Sequence, residues 1–187
     1  MAGSRAYGIR GLLALVIAAV AVLAAFVLVG CQQEQKPPAE FEQATVEYVI
    51  DGDTIDVIVD GREKRVRLAG INAPESASHD EALNTEEGAL ATEYLRTLLP
   101  VGRVVYLQKD TSETDKYNRL VRYVWLEVPE DPYGDDEIAA KMANSVVVEA
   151  GFAQAVRIWP DVAYNDWLKA AQERAAAAGA GVSYLWA

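Results

Sequence analysis

Carboxylates and guanidiniums recur between positions 51 and 119 of this chain, and their types are those that handle phosphates and hard cations. Asp51 and Asp53 flank a glycine, Arg67 lies in an apparent strand, Glu75 directly follows Pro74, and Arg119 ends the run "TDKYNR". A carboxylate offers oxygen ligands to a cation such as calcium, or accepts a proton from water. Arginine stays charged at any working pH and meets two phosphate oxygens with a planar fork. Taken singly, each has a plainer role: a turn, an exposed strand charge, a solvated loop acid. The surrounding elements decide whether they meet.

From Ala44 the apolar residues alternate with period two. Val46, Tyr48 and Ile50 read as one face of a first strand, and Ile55, Val57 and Val59 as one face of a second. Asp60-Gly61 marks a tight hairpin, and the third run places Val66 and Leu68 on one face with Arg67 on the other. A helix follows in "NTEEGALATEYLRTLLP", with Thr85 as N-cap, acids in its first turn, Leu90, Tyr94 and Leu98 at helical spacing, and Pro100 as the stop. Two more strand-like runs, "RVVYLQ" and "RLVRYVWLEV", precede helical segments at 139–150 and 165–178. Five short strands with a helix inserted after the third suggest a small closed barrel of the oligonucleotide-binding type, with helices packed against it. Trp125, Trp167 and Trp186 read as core.

Three segments, "DGDT" at 51–54, "RLAGINAPE" at 67–75 and "TDKYNR" at 114–119, occur in an order and spacing that resembles the staphylococcal nuclease-like (thermonuclease) family. The resemblance extends from about Val46 to Trp186, with "EAGFA" at 149–153 and a final "LW". It implies a five-stranded OB-fold barrel with three helices, and calcium-dependent hydrolysis of DNA and RNA phosphodiesters. By that resemblance Arg67 and Arg119 hold the phosphate-binding positions, and Glu75 orients or deprotonates the attacking water. Asp53 matches a carboxylate ligand of calcium. Asn72 stands where the family pattern has a second aspartate, and Ala73 would add its backbone carbonyl. Lys116 adds local positive charge, as does Arg157, while Tyr117 and Trp159 match places where the family keeps aromatics near the substrate. Stacking on a base suits such rings, since every base has a π-face, and packing in the core or at its rim suits each equally well. His79, the single histidine, reads as a surface loop residue rather than a general base.

Charge argues against long-range attraction of nucleic acid. The net charge is −11, and without residues 1–30 the chain has 15 basic against 28 acidic side chains, or −13. A basic footprint is the usual mark of a nucleic-acid binder. Local positive charge must therefore come from particular arginines, Lys116 and a metal. Two rival readings are a barrel that binds nucleic acid or another anionic polymer without cutting it, and a lipoprotein that only displays a protein-interaction surface. Retention of Arg67, Glu75 and Arg119 together separates the first rival from an enzyme, because binding alone has no need of the glutamate.

Residues 11–30, "GLLALVIAAVAVLAAFVLVG", form an uncharged apolar block after Arg5 and Arg10. Its length exceeds the ~7–15 residues of a usual signal core and reaches the ~20 that span a bilayer. Cys31, the sole cysteine, ends this block in "LVGC", a pattern that resembles a bacterial lipoprotein signal. Residues 1–30 thus read as a membrane-targeting segment and 31–43 as a lipidated cysteine with a Gln-, Glu- and Pro-rich tether. Residues 44–187 read as the folded domain. A lipidated Cys31 and a retained helical anchor both place that domain outside the cytoplasmic membrane, and a monomer is the expected form.

Overall fold

The computed structural model describes residues 41–78 and 80–186. The expectations for residues 1–30, for Cys31 with its tether to position 40, and for His79 lie outside the described residues. Strands β1 (Phe41–Asp51), β2 (Thr54–Val59) and β3 (Arg62–Leu68) form the expected meander, and β5 (Val104–Gln108) and β6 (Leu120–Trp125) complete a closed barrel in the order β1-β2-β3-β6-β5. The pairing is antiparallel except between β3 and β6. A short ladder outside the barrel pairs β4 (Ile71–Asn72) with β7 (Gln154–Ala155).

The alternating pattern explains most of this core. Ile55, Val57, Val66 and Leu68 are buried inside the barrel, at ~1.5–3 kcal/mol for each such side chain. Asp60 and Gly61 both adopt positive φ, 48° and 72°, so β2 turns into β3 through the tight hairpin that their types favour. The first strand departs from the expectation in two ways. It begins at Phe41 rather than Ala44, because the Phe41 ring is buried edge-on against Trp125 at a centroid distance of 6.0 Å. A register shift between Val46 and Tyr48 then breaks the period, so Val46 and Val49 point inward while Tyr48 is 52% exposed.

Helix α1 (Glu86–Leu98) is capped by Thr85, whose hydroxyl accepts the Gly88 N–H at 3.0 Å. Its buried face is Gly88, Ala91, Thr92 and Leu95, not the expected stripe, since Leu90 is 51% exposed. Small residues win that face because α1 lies so close to the 51–53 turn that a Cβ on Gly52 would stand 2.8 Å from the Ala91 Cβ. Tyr94 still serves the core's flank by stacking on Phe152.

The expected helix at 139–150 is two helices, α2 (Asp135–Lys141) and α3 (Ala143–Glu149), which raises the total from three to four with α4 (Asn165–Ala178). Met142 between them is extended (φ −87°, ψ 112°) and bridges to Trp125, while the Leu126 N–H donates to the Lys141 carbonyl at 2.7 Å. Trp125 is fully buried and donates its ring N–H to Gln108 at 2.9 Å. Trp167 and Trp186 are only half-buried, Trp167 because its ring N–H reaches out to Asp135.

Candidate active site

The parallel pairing of β3 with β6, Val66 opposite Leu120 and Arg67 opposite Val121, brings the turn that ends at Arg119 alongside β3. A groove of about 740 Å³ opens there, and Asp53, Arg67, Asn72, Glu75, Tyr117 and Arg119 all line it. Three sequence segments thus meet on one surface.

Asp53 is fixed by the tight turn before it. The Asp53 N–H donates to Asp51 Oδ1 at 3.1 Å, and Gly52 packs so closely on Ala73 that an added Cβ would stand 2.6 Å from the alanine's own. Asp53 is 6% exposed, and its carboxylate accepts the Thr54 hydroxyl at 3.0 Å and the Ala73 N–H at 2.9 Å. Burial pushes its carboxyl up to about 7 against the lowering influence of Arg67, with the neighbouring Asp51 charge adding to the rise. An ionised oxygen donor held in so dry a place is stabilised by a cation.

Arg67 leaves β3 on the side opposite the inward Val66 and Leu68, as the alternation requires. Its Nη2 lies 2.8 Å from Asp53 Oδ2 and donates to Asn72 Oδ1 at 3.2 Å, while Nη1 donates to the Leu68 carbonyl at 2.8 Å. Asn72 Oδ1 and Asp53 Oδ2 thus share one guanidinium nitrogen of Arg67. Ala73 contributes its N–H to Asp53, and its side chain is buried; it does not line the groove.

Glu75 is set by its backbone. Its carbonyl accepts the Thr85 N–H at 2.9 Å, and Gly88 in the first turn of α1 sits against it so tightly that a Cβ there would be 2.0 Å from that oxygen. Among the described residues its exposed carboxylate makes no hydrogen bond or ion pair, which leaves it available to a water in the groove.

Arg119 is held by Asp115, a residue the sequence reading passed over. The Asp115 carboxylate accepts Arg119 Nε at 2.7 Å and the N–H groups of Tyr117 and Arg119 at 2.9 and 3.0 Å. Asn118 takes the left-handed conformation that closes this turn, at φ 64°. Desolvation pushes the Asp115 carboxyl up, but the Arg119 guanidinium and the two backbone donors outweigh it and hold the group below the usual carboxylate range. The signal was present in "TDKYNR", where an acid and an arginine stand four residues apart.

Tyr117 is 67% exposed at the groove's rim, with the Arg119 guanidinium 5.3 Å from its ring centroid. Lys116 lies on the same ring, 4.8 Å away, but does not line the groove. Trp159 is also outside the lining, 81% exposed on a turn. That turn is tied to the 111–112 backbone by Asp161, which accepts two N–H groups at 3.0 and 2.7 Å.

Among the described residues no three His, Cys, Asp or Glu side chains group tightly enough to hold a metal ion by themselves. The donors present, Asp53 and Asp51 carboxylates and the Asn72 amide, are all oxygen. That set suits a hard cation completed by water and substrate oxygens, and lacks the nitrogen and sulfur donors that zinc sites use.

A family model described as "Staphylococcal nuclease homologue" matches residues 65–187. The chain belongs to this family. It is 34% identical over 134 residues to the thermonuclease of Staphylococcus intermedius, across 72% of this chain and 71% of that protein. Identity to the thermonuclease of Staphylococcus hyicus is 30% over 127 residues, across 68% and 67% of the two chains. The micrococcal nuclease of Shigella flexneri matches at 33% over 111 residues, 59% of this chain and 56% of that one. As a staphylococcal nuclease homologue, the chain has the closed five-stranded barrel that its motifs implied, with one helix more than expected.

Proposed function

We propose that this chain is a calcium-dependent nuclease that hydrolyses phosphodiester bonds of DNA, RNA or both. One observation carries the reading: two guanidiniums, Arg67 and Arg119, share a groove with a glutamate whose carboxylate has no other partner among the described residues. The names of its relatives, thermonuclease and micrococcal nuclease, support it.

Attack of water on phosphorus builds negative charge on the non-bridging oxygens, and fixed cations aimed at that charge lower the barrier. Arg67 and Arg119 supply them, already oriented by Asp53 and Asp115. Glu75 accepts the hydrogen bond, and then the proton, of the attacking water, while one ester oxygen leaves and is protonated by solvent. Calcium, held by Asp53 with Asn72 and water, would supply Lewis-acid stabilisation of the same phosphate oxygens. Tyr117 offers an exposed face to a base. We further propose that the domain works outside the cytoplasmic membrane, anchored through lipid on Cys31.

The test is incubation of the protein with single-stranded DNA, with calcium and with chelator, for wild type and Glu75→Gln. A general base contributes typically ~10²–10⁴-fold, so the variant should lose that much turnover while still binding DNA. Equal turnover in a folded Glu75→Gln protein would remove Glu75 from the mechanism. DNA bound but left intact by wild type under all conditions would favour the binding-only barrel.

A further inference from the structure

β2 and β3 pair so that Thr54 faces Arg67, Asp56 faces Arg65 and Ile58 faces Glu63. Side chains alternate along a strand, so Arg65 and Arg67 leave the same outer face of β3 about 6.6 Å apart. Both line the groove. Asp56, itself only 7% exposed, accepts Arg65 Nε at 2.8 Å and Nη2 at 2.9 Å, which occupies one edge of the fork. The Arg65 side chain is otherwise 50% exposed, and its remaining N–H groups, on Nη1 and the outer side of Nη2, have no partner among the described residues.

A buried carboxylate gripping a half-exposed guanidinium fixes a side chain that would otherwise lose much rotamer freedom on binding a ligand. The pair is neutral overall, so it adds no long-range attraction. What it adds is a set of oriented donors one strand repeat from Arg67, and that repeat is within the reach of one extended nucleotide. Glu63, the next residue on the same face, lines the groove beyond Arg65 and repels a further phosphate.

On the nuclease reading above, we propose that Arg65 is a second phosphate-binding residue. It takes the phosphate adjacent to the one held at Arg67, so the groove prefers a polynucleotide to an isolated phosphodiester. The role is one of substrate selection.

The experiment compares full-length wild type, Arg65→Gln, Arg65→Lys and Asp56→Asn on two substrates in calcium: an oligothymidylate and the single phosphodiester thymidine 5′-(p-nitrophenyl phosphate). KM is measured across a salt series. In Arg65→Gln, KM should rise about tenfold more for the oligonucleotide than for the small ester, and the slope of log KM against log salt should shrink by ~0.7, the value of one single-strand phosphate contact. Arg65→Lys keeps the charge and should restore most of that slope. Asp56→Asn, which releases the guanidinium that the carboxylate holds in place, should raise KM for the oligonucleotide more than for the small ester. A purely structural salt bridge predicts otherwise: both neutral variants impair both substrates in parallel with the slope unchanged, and that result overturns the proposal. If wild type cleaves neither substrate, the nuclease reading fails separately. Fluorescence anisotropy of the labelled oligonucleotide over the same salt series then decides on Arg65, an unchanged slope in Arg65→Gln again overturning it.

Discussion

Gly88→Ala should damage catalysis far more than stability. By helix propensity alone the change is favourable, though in the first turn by less than the ~0.8–1 kcal/mol by which alanine exceeds glycine in a helix interior. The new methyl, however, would stand 2.0 Å from the Glu75 carbonyl oxygen, 2.5 Å from its carbon and 2.9 Å from the Pro74 oxygen. All three atoms are backbone, so no rotamer change relieves the contact. To reach even 3.0 Å the first turn of α1 and the 74–75 segment must separate by about 1 Å. Overpacking of this kind costs ~1–3 kcal/mol, which the propensity gain partly offsets, so the net loss of stability should stay under ~2 kcal/mol. Displacing the glutamate by about 1 Å is another matter, because a misplacement of that size costs ~10²-fold in rate. Urea unfolding followed by tryptophan fluorescence, beside initial rates on single-stranded DNA with calcium, gives both quantities. A variant that gains stability and turns over within threefold of wild type would show that the close approach of α1 does not place Glu75.

Asn72→Asp should strengthen calcium binding in the absence of DNA, because affinity at oxygen sites rises with ligand charge, and calorimetry should show a smaller gain with a non-cleavable oligonucleotide present. Equal affinity in both proteins would mean that residue 72 is not a ligand. Because the Asp115 carboxyl is held below its ordinary range, its contribution to stability is present above the unfolded value of ~3.9 and lost as pH falls through the lower folded value. Asp115→Asn should therefore flatten the acid limb of urea midpoints measured from pH 6 down to pH 2, and an unchanged limb would refute the link. Cys31→Ser should abolish lipid attachment, which mass spectrometry of the membrane fraction would detect as loss of the acyl mass. An unmodified Cys31 in an intact wild-type chain would favour a retained helix instead.

The sequence displayed the parts of this fold that depend on local chemistry. Asp60-Gly61, the Ile55-Val57-Val59 alternation and the Thr85 cap are each decided within a few residues. Features decided across the barrel were hidden. Tyr48 turns outward because of a register shift against β2, and Met142 is extended because it bridges to Trp125, and neither leaves a mark on its own neighbours. The candidate site divides in the same way. Arg67, Glu75 and Arg119 were legible as types at recognisable spacing, and the structure brings all three to one groove. Asp115 and the Asp56–Arg65 pair were missed because an acid beside an arginine is common, and only turn geometry and strand register show which of them are engaged. Trp159, expected near the substrate, stands on a turn outside the groove's lining.

The parallel contact between β3 and β6 carries a further consequence for the chain as it is made. Those strands are joined only after some fifty intervening residues have found their places, a non-local closure of the kind that slows folding. A nascent or still-extended chain has Glu75 and Arg67 close in sequence but has no means of bringing Arg119 to them. On the proposed function, phosphodiester cleavage would be withheld until the barrel shuts, and a chain exported before folding would pass the nucleic acids of its own cell without cutting them.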